Sequence, residues 1–497
     1  MSLTKATYSM IDGSPINIKD YGAVDGQDST IAIQAALDAA TGVVIVPPGT
    51  YIISSISIPS SVELVGYGAS SILQAKAQDS ASNVSTILMG SASTAVSHAK
   101  IKNLKLDGNK SNNTGAGYRT GIRIWGSDYN EISNCIISNF GVSSGGGNGY
   151  GVYVGYESGR VVGSNGNLIQ SNEVYDNDTM AIAITYGNEN SIVNNKVSGT
   201  IDLEMNVSIG EIKNNLVEGN GGRTQSESKA TPRISDLDIS LSSLNTTIAN
   251  YNGNIISNNH CYRIQFDYTT GTQVIGNLIV GSVSSQTYLV DFSGVESAIV
   301  SNNHFVANTT VATSLVALMR TRGCVNLSVT NNVLDNEAKI FHEYTYSFGG
   351  QNAAKHYFRG NQRSGSGAYR NGSYPFPSEW GRFAIQNTNG GNLNVAQIGG
   401  VYEPTFNASR SGSDCVLGSA GNGGTGWVFN ILPHCNATSI TYTGNMTHNC
   451  TYKYTASGSG RTVTAYTFAP AAGAISQALF DFGSAGTTGC FIVDIYY

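Results

Sequence analysis

The sequence predicts an all-β chain whose main body is a parallel β-helix, and three observations lead there. A short motif repeats along the chain: an apolar residue, usually one more residue, then Asn-Asn or a small residue plus Asn, then apolar residues. It reads NLIQSNEVYDN, NSIVNNKVSG, GEIKNNLVEG, GNIISNNHCY, TQVIGNLIVG, SAIVSNNHFV and NLSVTNNVLDN. The strand-like runs between the motifs are short and alternate apolar with polar residues. Composition agrees, with 59 Gly and 27 Tyr against 10 Pro and only 12% charged residues.

The recurring positions are Asn172, Asn195, Asn215, Asn259, Asn277, Asn303 and Asn332, with a long gap between Asn215 and Asn259. KIKNLKLDGN and NEISNCIISN carry the same unit at Asn103 and Asn134. A period of roughly twenty to thirty residues suits stacked β coils; propeller blades need about 40–45, and helical repeats need a 3.6-residue period that is absent. Asn side chains at equivalent corners can bond one another along the stack. Amides are poor acids and bases, so this ladder is a structural device.

The net charge of −6 over 497 residues provides no electrostatic footprint for nucleic acid or an anionic membrane. The opening MSLTKATYSMIDG has no apolar core of a signal peptide, and no run of about 18 apolar residues predicts membrane insertion. Seven cysteines lie between Cys135 and Cys490 without metal-type spacing, several inside strand-like runs such as SNCIIS. They read as free buried thiols acting as small apolar residues, in a chain made in a reducing cytoplasm. Neither a metal nor another cofactor is expected.

Near the start, TIAIQAALDAA is the one convincing amphipathic helix, with Asp28 or Ser29 placed to cap it. A solenoid must close its open end, so this helix is expected to plug the first coil. DYGAVDGQDSTIAIQAALDAA followed by VVIVPPGTY resembles the opening of the pectate-lyase-like right-handed β-helix superfamily. The preceding LTKATYSMIDGSPIN is similar to the segment that introduces the β-helix in bacteriophage tailspikes and capsule depolymerases. The motif match covers residues 3–51, and the coil pattern extends it to about residue 362. The resemblance implies a right-handed β-helix and a homotrimer that binds and cuts a bacterial capsular or O-antigen polysaccharide. It also implies a place on the virion tail, with the N-terminal segment attached to other phage tail proteins. The opening motif itself carries no catalytic residue.

Composition shifts at RSGSGAYRNGSYPFPSEWGRF, which reads as a domain boundary. The expected divisions are a connector and cap over 1–50, a β-helix bearing the substrate groove over 51–363, a linker over 364–379 and a C-terminal domain over 380–497. TYKYTASG, RTVTAYTF and CFIVDIYY there predict an antiparallel β-sandwich. In tailspike-like proteins such a module promotes trimer formation and sometimes binds carbohydrate.

Acids on strands are the feature that needs a function. TIDLEMN (200–206), ISDLDIS (234–240), RIQFDYT (263–269) and YLVDFSG (288–294) align if Leu203, Leu237, Phe266 and Val290 point inward. One outward column then reads Glu204, Asp238, Asp267, Asp291, and its neighbour begins Asp202, Asp236 and continues Gln265, Leu289. The alignment of Asp238 rests on the likeness of DLD to DLE and requires an insertion in the following turn. Like charges at strand spacing repel, and a purely structural sheet would carry Thr, Asn or Val there. The column therefore suggests glycoside hydrolysis, with a solvated acidic face and a calcium site as the other readings.

Hydrolysis needs two carboxyl groups, one to protonate the leaving oxygen and one to attack the sugar or activate water. Glu204 with Asp238 or Asp267 is the expected pair, with Asp291 on sugar hydroxyls. Asp202, Asp236, Arg263, Tyr268, Tyr288 and Arg320 are expected to bind substrate. The alternatives are a lyase acting beside a uronate, which would draw on Arg263, Arg320, Arg322 and His342, and a non-catalytic adhesin. Trp125, Tyr153, Tyr156, Tyr186 and Tyr262 are further candidates for sugar platforms.

Overall fold

The computed structural model describes residues 14–78, 82–91, 93–143, 149–155, 163–205, 212–222, 237–243, 251–281, 286–307 and 313–335, then Asn361 and the backbone of short strands between Ile340 and Tyr496. Contacts divide the chain into two compact units, Met1–Asp291 with Asn308–Ser314, and Phe292–Ala307 with Leu315–Tyr497.

In the first unit, helix α1 (Thr30–Asp38) buries Ile33, Ala36 and Leu37. Ser29 holds the N-cap position without a side-chain bond to the helix. The neighbouring Asp28 does that work: its carboxylate accepts the Thr30 N–H at 3.1 Å and the Thr30 hydroxyl at 2.6 Å. Lys76 adds an ion pair at 2.9 Å, and these hydrogen bonds hold the Asp28 carboxyl down at about 2.

The coils follow. One face is built from β1 (Val84–Met89), β2 (Arg119–Ile124), β3 (Gly149–Val154), β4 (Met180–Ile184), β5 (Gly199–Met205), β6 (Leu237–Ser243) and β7 (Arg263–Asp267). Each pairs in parallel with the next. Ile87, Ile122, Val152, Ile182, Ile201 and Ile264 form one interior column, all 0% exposed. Met89, Ile124, Val154, Ile184, Leu203 and Phe266 form the second. Side chains of this size stabilise by about 1.5–3 kcal/mol each when fully buried, so stacking them is the main drive to coil. Parallel strands from successive coils, closed by α1, make the right-handed parallel β-helix with an N-terminal capping helix.

The Asn motif resolves into two positions with different jobs. In each Asn-Asn pair the first residue is left-handed: Asn194, Asn214, Asn258, Asn302 and Asn331 have φ between 54° and 56°. Asn tolerates that conformation better than other residues with a Cβ, and Gly, without one, takes its place at Gly219 and Gly276; Ser171 holds it in one further coil. The second residue turns inward and builds the ladder. Asn172, Asn195, Asn220, Asn259 and Asn277 form one, each Nδ2 donating to the next Oδ1 at 2.9–3.0 Å. A second ladder runs through Asn130, Asn167, Asn190, Asn215 and Asn254 at 2.9–3.1 Å.

The structure places two sets of these asparagines differently from the sequence pattern. Asn215 belongs to the second ladder, so the long gap before Asn259 is one coil of 39 residues, from Asn220 to Asn259. Asn103 and Asn134 are left-handed corner residues, not ladder members. The ladder place after Asn134 is taken by buried Cys135, whose N–H donates to Asn172 Oδ1 at 2.9 Å. Burial pushes the Cys135 thiol up to about 12, and Cys261 and Cys324 are likewise buried thiols.

The second unit contains coils of the same kind. Asn303, Asn332 and Asn361 form a ladder at 3.0 and 2.7 Å. Strand β8 (Ala317–Arg322) pairs in parallel with β9 (Ile340–Thr345), placing Arg320 opposite Glu343 and Met319 opposite His342. Farther along, strands 392–400, 381–388, 489–496, 428–434 and 466–468 form one antiparallel sheet. Strands 406–411, 414–419, 477–481 and 439–443 form another, the two sheets of the expected sandwich. TYKYTASG lies outside the described residues.

Candidate active site

Register decides which acids meet. Across β5, β6 and β7, Glu204 lies opposite Ser242, and Ser242 opposite Asp267. These share one column, on the strand positions that alternate with buried Leu203 and Phe266. Asp238 is elsewhere: it pairs with Thr200 on one side and Arg263 on the other. Four residues of strand separate it from Ser242, about 13 Å of backbone, too far for Asp238 and Glu204 to share one glycosidic bond.

The physical reason is parity. Sliding ISDLDISLSS by four residues keeps every apolar residue on its own face, so the alternation fits both registers equally. Ile239 and Leu241, rather than Leu237, take the places beside Ile201 and Leu203. The likeness of DLD to DLE is coincidental to the pairing.

The other expected residues are distributed unevenly. Asp202 lies opposite Ser240, and Ser240 opposite Gln265, in the column adjoining that of Glu204; Asp202 is only 2% exposed. Asp236 lies outside the described residues. Asp267 is half-buried: Gln265 Nε2 donates to its Oδ2 at 3.2 Å, while its buried Oδ1 has no hydrogen-bond partner. Tyr268, directly after it, has φ 54°, a strained conformation for a bulky residue at the end of a strand.

Asp291 and Tyr288 lie in the strand Tyr288–Ser293, where all six residues are buried, Asp291 to 7% and Tyr288 to 8% exposure. That strand lacks the open outer face the alternation suggested. Arg263 is half-buried on β7, and Arg320 belongs to the second unit. Among the described residues, no three His, Cys, Asp or Glu side chains converge as a metal-binding group, and no helix is long and apolar enough to cross a membrane.

Toward the N-terminal coils the same outer face turns aromatic. The column through Asp202 continues to Ala183, Tyr153 and Arg123. The Arg123 guanidinium lies 5.0 Å from the Trp125 ring centre and 5.2 Å from that of Tyr153. Tyr150 meets Tyr153 edge-on at 5.3 Å and stacks on Tyr118 at 5.7 Å.

Strict alternation would not put residues three apart, such as Tyr150 and Tyr153, side by side. Gly151 permits it, because a Cβ there would come within 2.5 Å of the Ala181 carbonyl and 2.6 Å of Val174. Thr185 Oγ1 bonds the Tyr153 hydroxyl at 2.9 Å. Buried Arg119, with its pKa pushed down by desolvation, donates to the carbonyls of Ser82 at 2.8 Å and Tyr118 at 3.2 Å.

Sequence reasoning singled out Trp125 and Tyr153 but missed Tyr118, Arg123 and Tyr150. The available signal was the pair of glycines in GYGVYV, which marks a strand with an interrupted alternation. Tyr156 lies outside the described residues.

Residues 15–222 match the family described as "Rhamnogalacturonase A/epimerase, pectate lyase-like". That segment is thus similar to pectate-lyase-like proteins, the superfamily that its opening motif resembles. The matched segment includes Asp202, Glu204 and the aromatic cluster, and it ends before Asp267.

Among curated proteins, the mannuronan C5-epimerase AlgE6 of Azotobacter vinelandii is 36% identical over 110 residues, 19% of this chain and 13% of the relative. The chain therefore spans about an eighth of the length of that relative. Among solved structures, a tailspike protein of E. coli bacteriophage HK620, in complex with a pentasaccharide, superposes with TM-score 0.53 at 10% identity, covering 98% of this chain and 96% of that one. The pre-mature gene product 12 of bacteriophage phi29 superposes with TM-score 0.55 at 14% identity, covering 71% of this chain and 50% of that one. Both likenesses are of fold.

Proposed function

We propose that this chain is a phage tailspike depolymerase that binds a bacterial capsular or O-antigen polysaccharide and hydrolyses its glycosidic bonds. The observation that carries the reading is the register placing Glu204 and Asp267 in one column with Ser242 between them. Two rungs separate the acids by about 9.6 Å of backbone. Inverting glycosidases hold their carboxyl groups about 6.5–9.5 Å apart, with room for a water, whereas retaining ones need about 5–5.5 Å.

The spacing therefore favours inversion. One of the two carboxyls protonates the leaving oxygen, and the other draws a proton from the attacking water. The overall likeness to the pentasaccharide-bound tailspike supports the fold on which such chemistry is built. A homotrimer on the virion tail, joined through its N-terminus to other tail proteins, completes the reading.

A second reading is favoured by two findings, the epimerase relative and the family description. Epimerisation and β-elimination both begin by removing the C5 proton of a uronate, and one outer carboxylate can serve as base. Product analysis on a panel of bacterial surface polysaccharides separates the readings. Hydrolysis gives shortened, saturated products with a new reducing end; elimination gives ultraviolet-absorbing unsaturated ends; epimerisation leaves polymer length unchanged. Unshortened polymer across the panel overturns the hydrolase.

A further inference from the structure

We infer that Tyr118, Tyr150, Tyr153, Arg123 and Trp125 form a separate glycan-binding subsite that sets the minimum chain length the protein grips. The inference rests on the reading of the outer face as a carbohydrate site, and it assigns the part of that face which lacks acids.

The geometry of the rings carries it. Tyr118 is 40% exposed, and Trp125, Tyr150 and Tyr153 are half-buried, so the cluster is neither core nor scattered surface. Ring contacts of 5.3 and 5.7 Å join the three tyrosines across two coils. Arg123 is held between Trp125 and Tyr153, which ties both rings to one planar group.

The rings are also fixed from behind. Gly151 cannot accept a Cβ, Thr185 bonds the Tyr153 hydroxyl, and Arg119 holds the carbonyl of Tyr118. Preorganised aromatic rings bind with little further loss of side-chain entropy, and their faces pack against the apolar faces of pyranoses.

Register gives the separation. Tyr153, Ala183 and Asp202 occupy successive rungs, so the nearest ring position is about 10 Å from Asp202 and Arg123 is about 14 Å away. A sugar residue in an extended glycan advances by a comparable step. A chain lying along the coils would therefore reach the rings about two to three residues from the acids.

The test uses the full chain carrying Glu204→Gln, to prevent turnover, on an array of purified capsular and O-antigen polysaccharides. Size-graded fragments of any polymer that binds follow. Affinity is expected to rise about ten-fold once fragments exceed about four sugar residues, and Tyr150→Ala or Tyr118→Ala is expected to abolish that rise. Tyr150→Phe restores it, because the ring is kept. Tyr129→Ala, at a 58%-exposed ring outside the cluster, leaves it intact.

Matching melting curves confirm that each variant is folded; the exposed Tyr118 provides the test if Tyr150→Ala does not fold. Ala variants with the parent's length dependence overturn the subsite, as does a parent that binds no polymer. Ring-dependent binding in a protein whose native Glu204 form shortens no polymer would uphold the subsite while removing the hydrolase reading.

Discussion

At the corner where each coil turns, Asn172, Asn195, Asn220, Asn259 and Asn277 repeat one side chain from level to level. On the outer face of the same coils, Arg123, Tyr153, Ala183, Asp202, Ser240 and Gln265 succeed one another without repetition. The corner repeats because each level presents the same unpaired backbone groups. An amide carries both donors and an acceptor, so a column of amides satisfies itself. The outer face has no such internal demand. Its lack of repetition makes it the place to look for function.

The largest effect that can break this contrast is catalytic. Glu204→Gln and Asp267→Asn should each slow polymer shortening by about a thousand-fold, read by size-exclusion chromatography of the digest, with melting temperature little changed. Asp238→Asn should cost less than about ten-fold, because its rung lies about 13 Å along the strand from that of Ser242. Equal losses at Asp238 and Asp267 would mean that register does not define the site.

The next effect is on stability and concerns the two halves of one dipeptide. Asn195→Ala removes an amide whose Nδ2 serves Asn220 Oδ1 at 2.9 Å and the Ile169 carbonyl at 3.0 Å, and whose Oδ1 accepts from Asn172. Leaving those buried groups unpaired should cost about 3 kcal/mol in denaturant unfolding. Asn194→Ala alters only a left-handed corner and should cost about 1 kcal/mol, while Asn194→Gly should be close to neutral. Indistinguishable losses at Asn194 and Asn195 would undo the division of labour.

The same contrast explains what the sequence made legible. Coils, capping helix and sandwich were readable because each rests on a pattern that repeats or alternates. The ladder was visible but blurred: Asn134 and Cys135 together look like a motif member, although the Asn is only the corner and the thiol holds the ladder position. Glu204 and Asp267 were placed correctly relative to each other, since Leu203 and Phe266 fix their rungs.

Asp238 was misplaced because an even-numbered slide leaves the alternation intact. The aromatic cluster was half seen. Its members are brought together by an interruption at Gly151 and by contacts between coils, neither of which a period-2 pattern records.

The smallest effect lies where the repeat begins, and it titrates. Inside the stack, backbone N–H groups donate to neutral amide oxygens, as Asn172 N–H does to Asn195 at 2.9 Å, so proton concentration does not alter the bond. At α1 a carboxylate fills the comparable role, with Asp28 accepting from Thr30 and pairing with Lys76. These partners lower its pKa to about 2, first the Thr30 hydroxyl bond and then that to Lys76.

A depressed carboxyl contributes stability that is fully present above its unfolded-state pKa and disappears as pH falls through its folded value. Asp28→Asn should therefore melt slightly below the parent at neutral pH, and the gap should close as pH approaches about 2. Asn195→Ala should keep its penalty across the same range. The partial exposure of Asp28 and Lys76 keeps the first effect small. A gap for Asp28→Asn that is constant with pH would place its role in hydrogen-bond geometry alone, and the end of the coil would then behave like its middle.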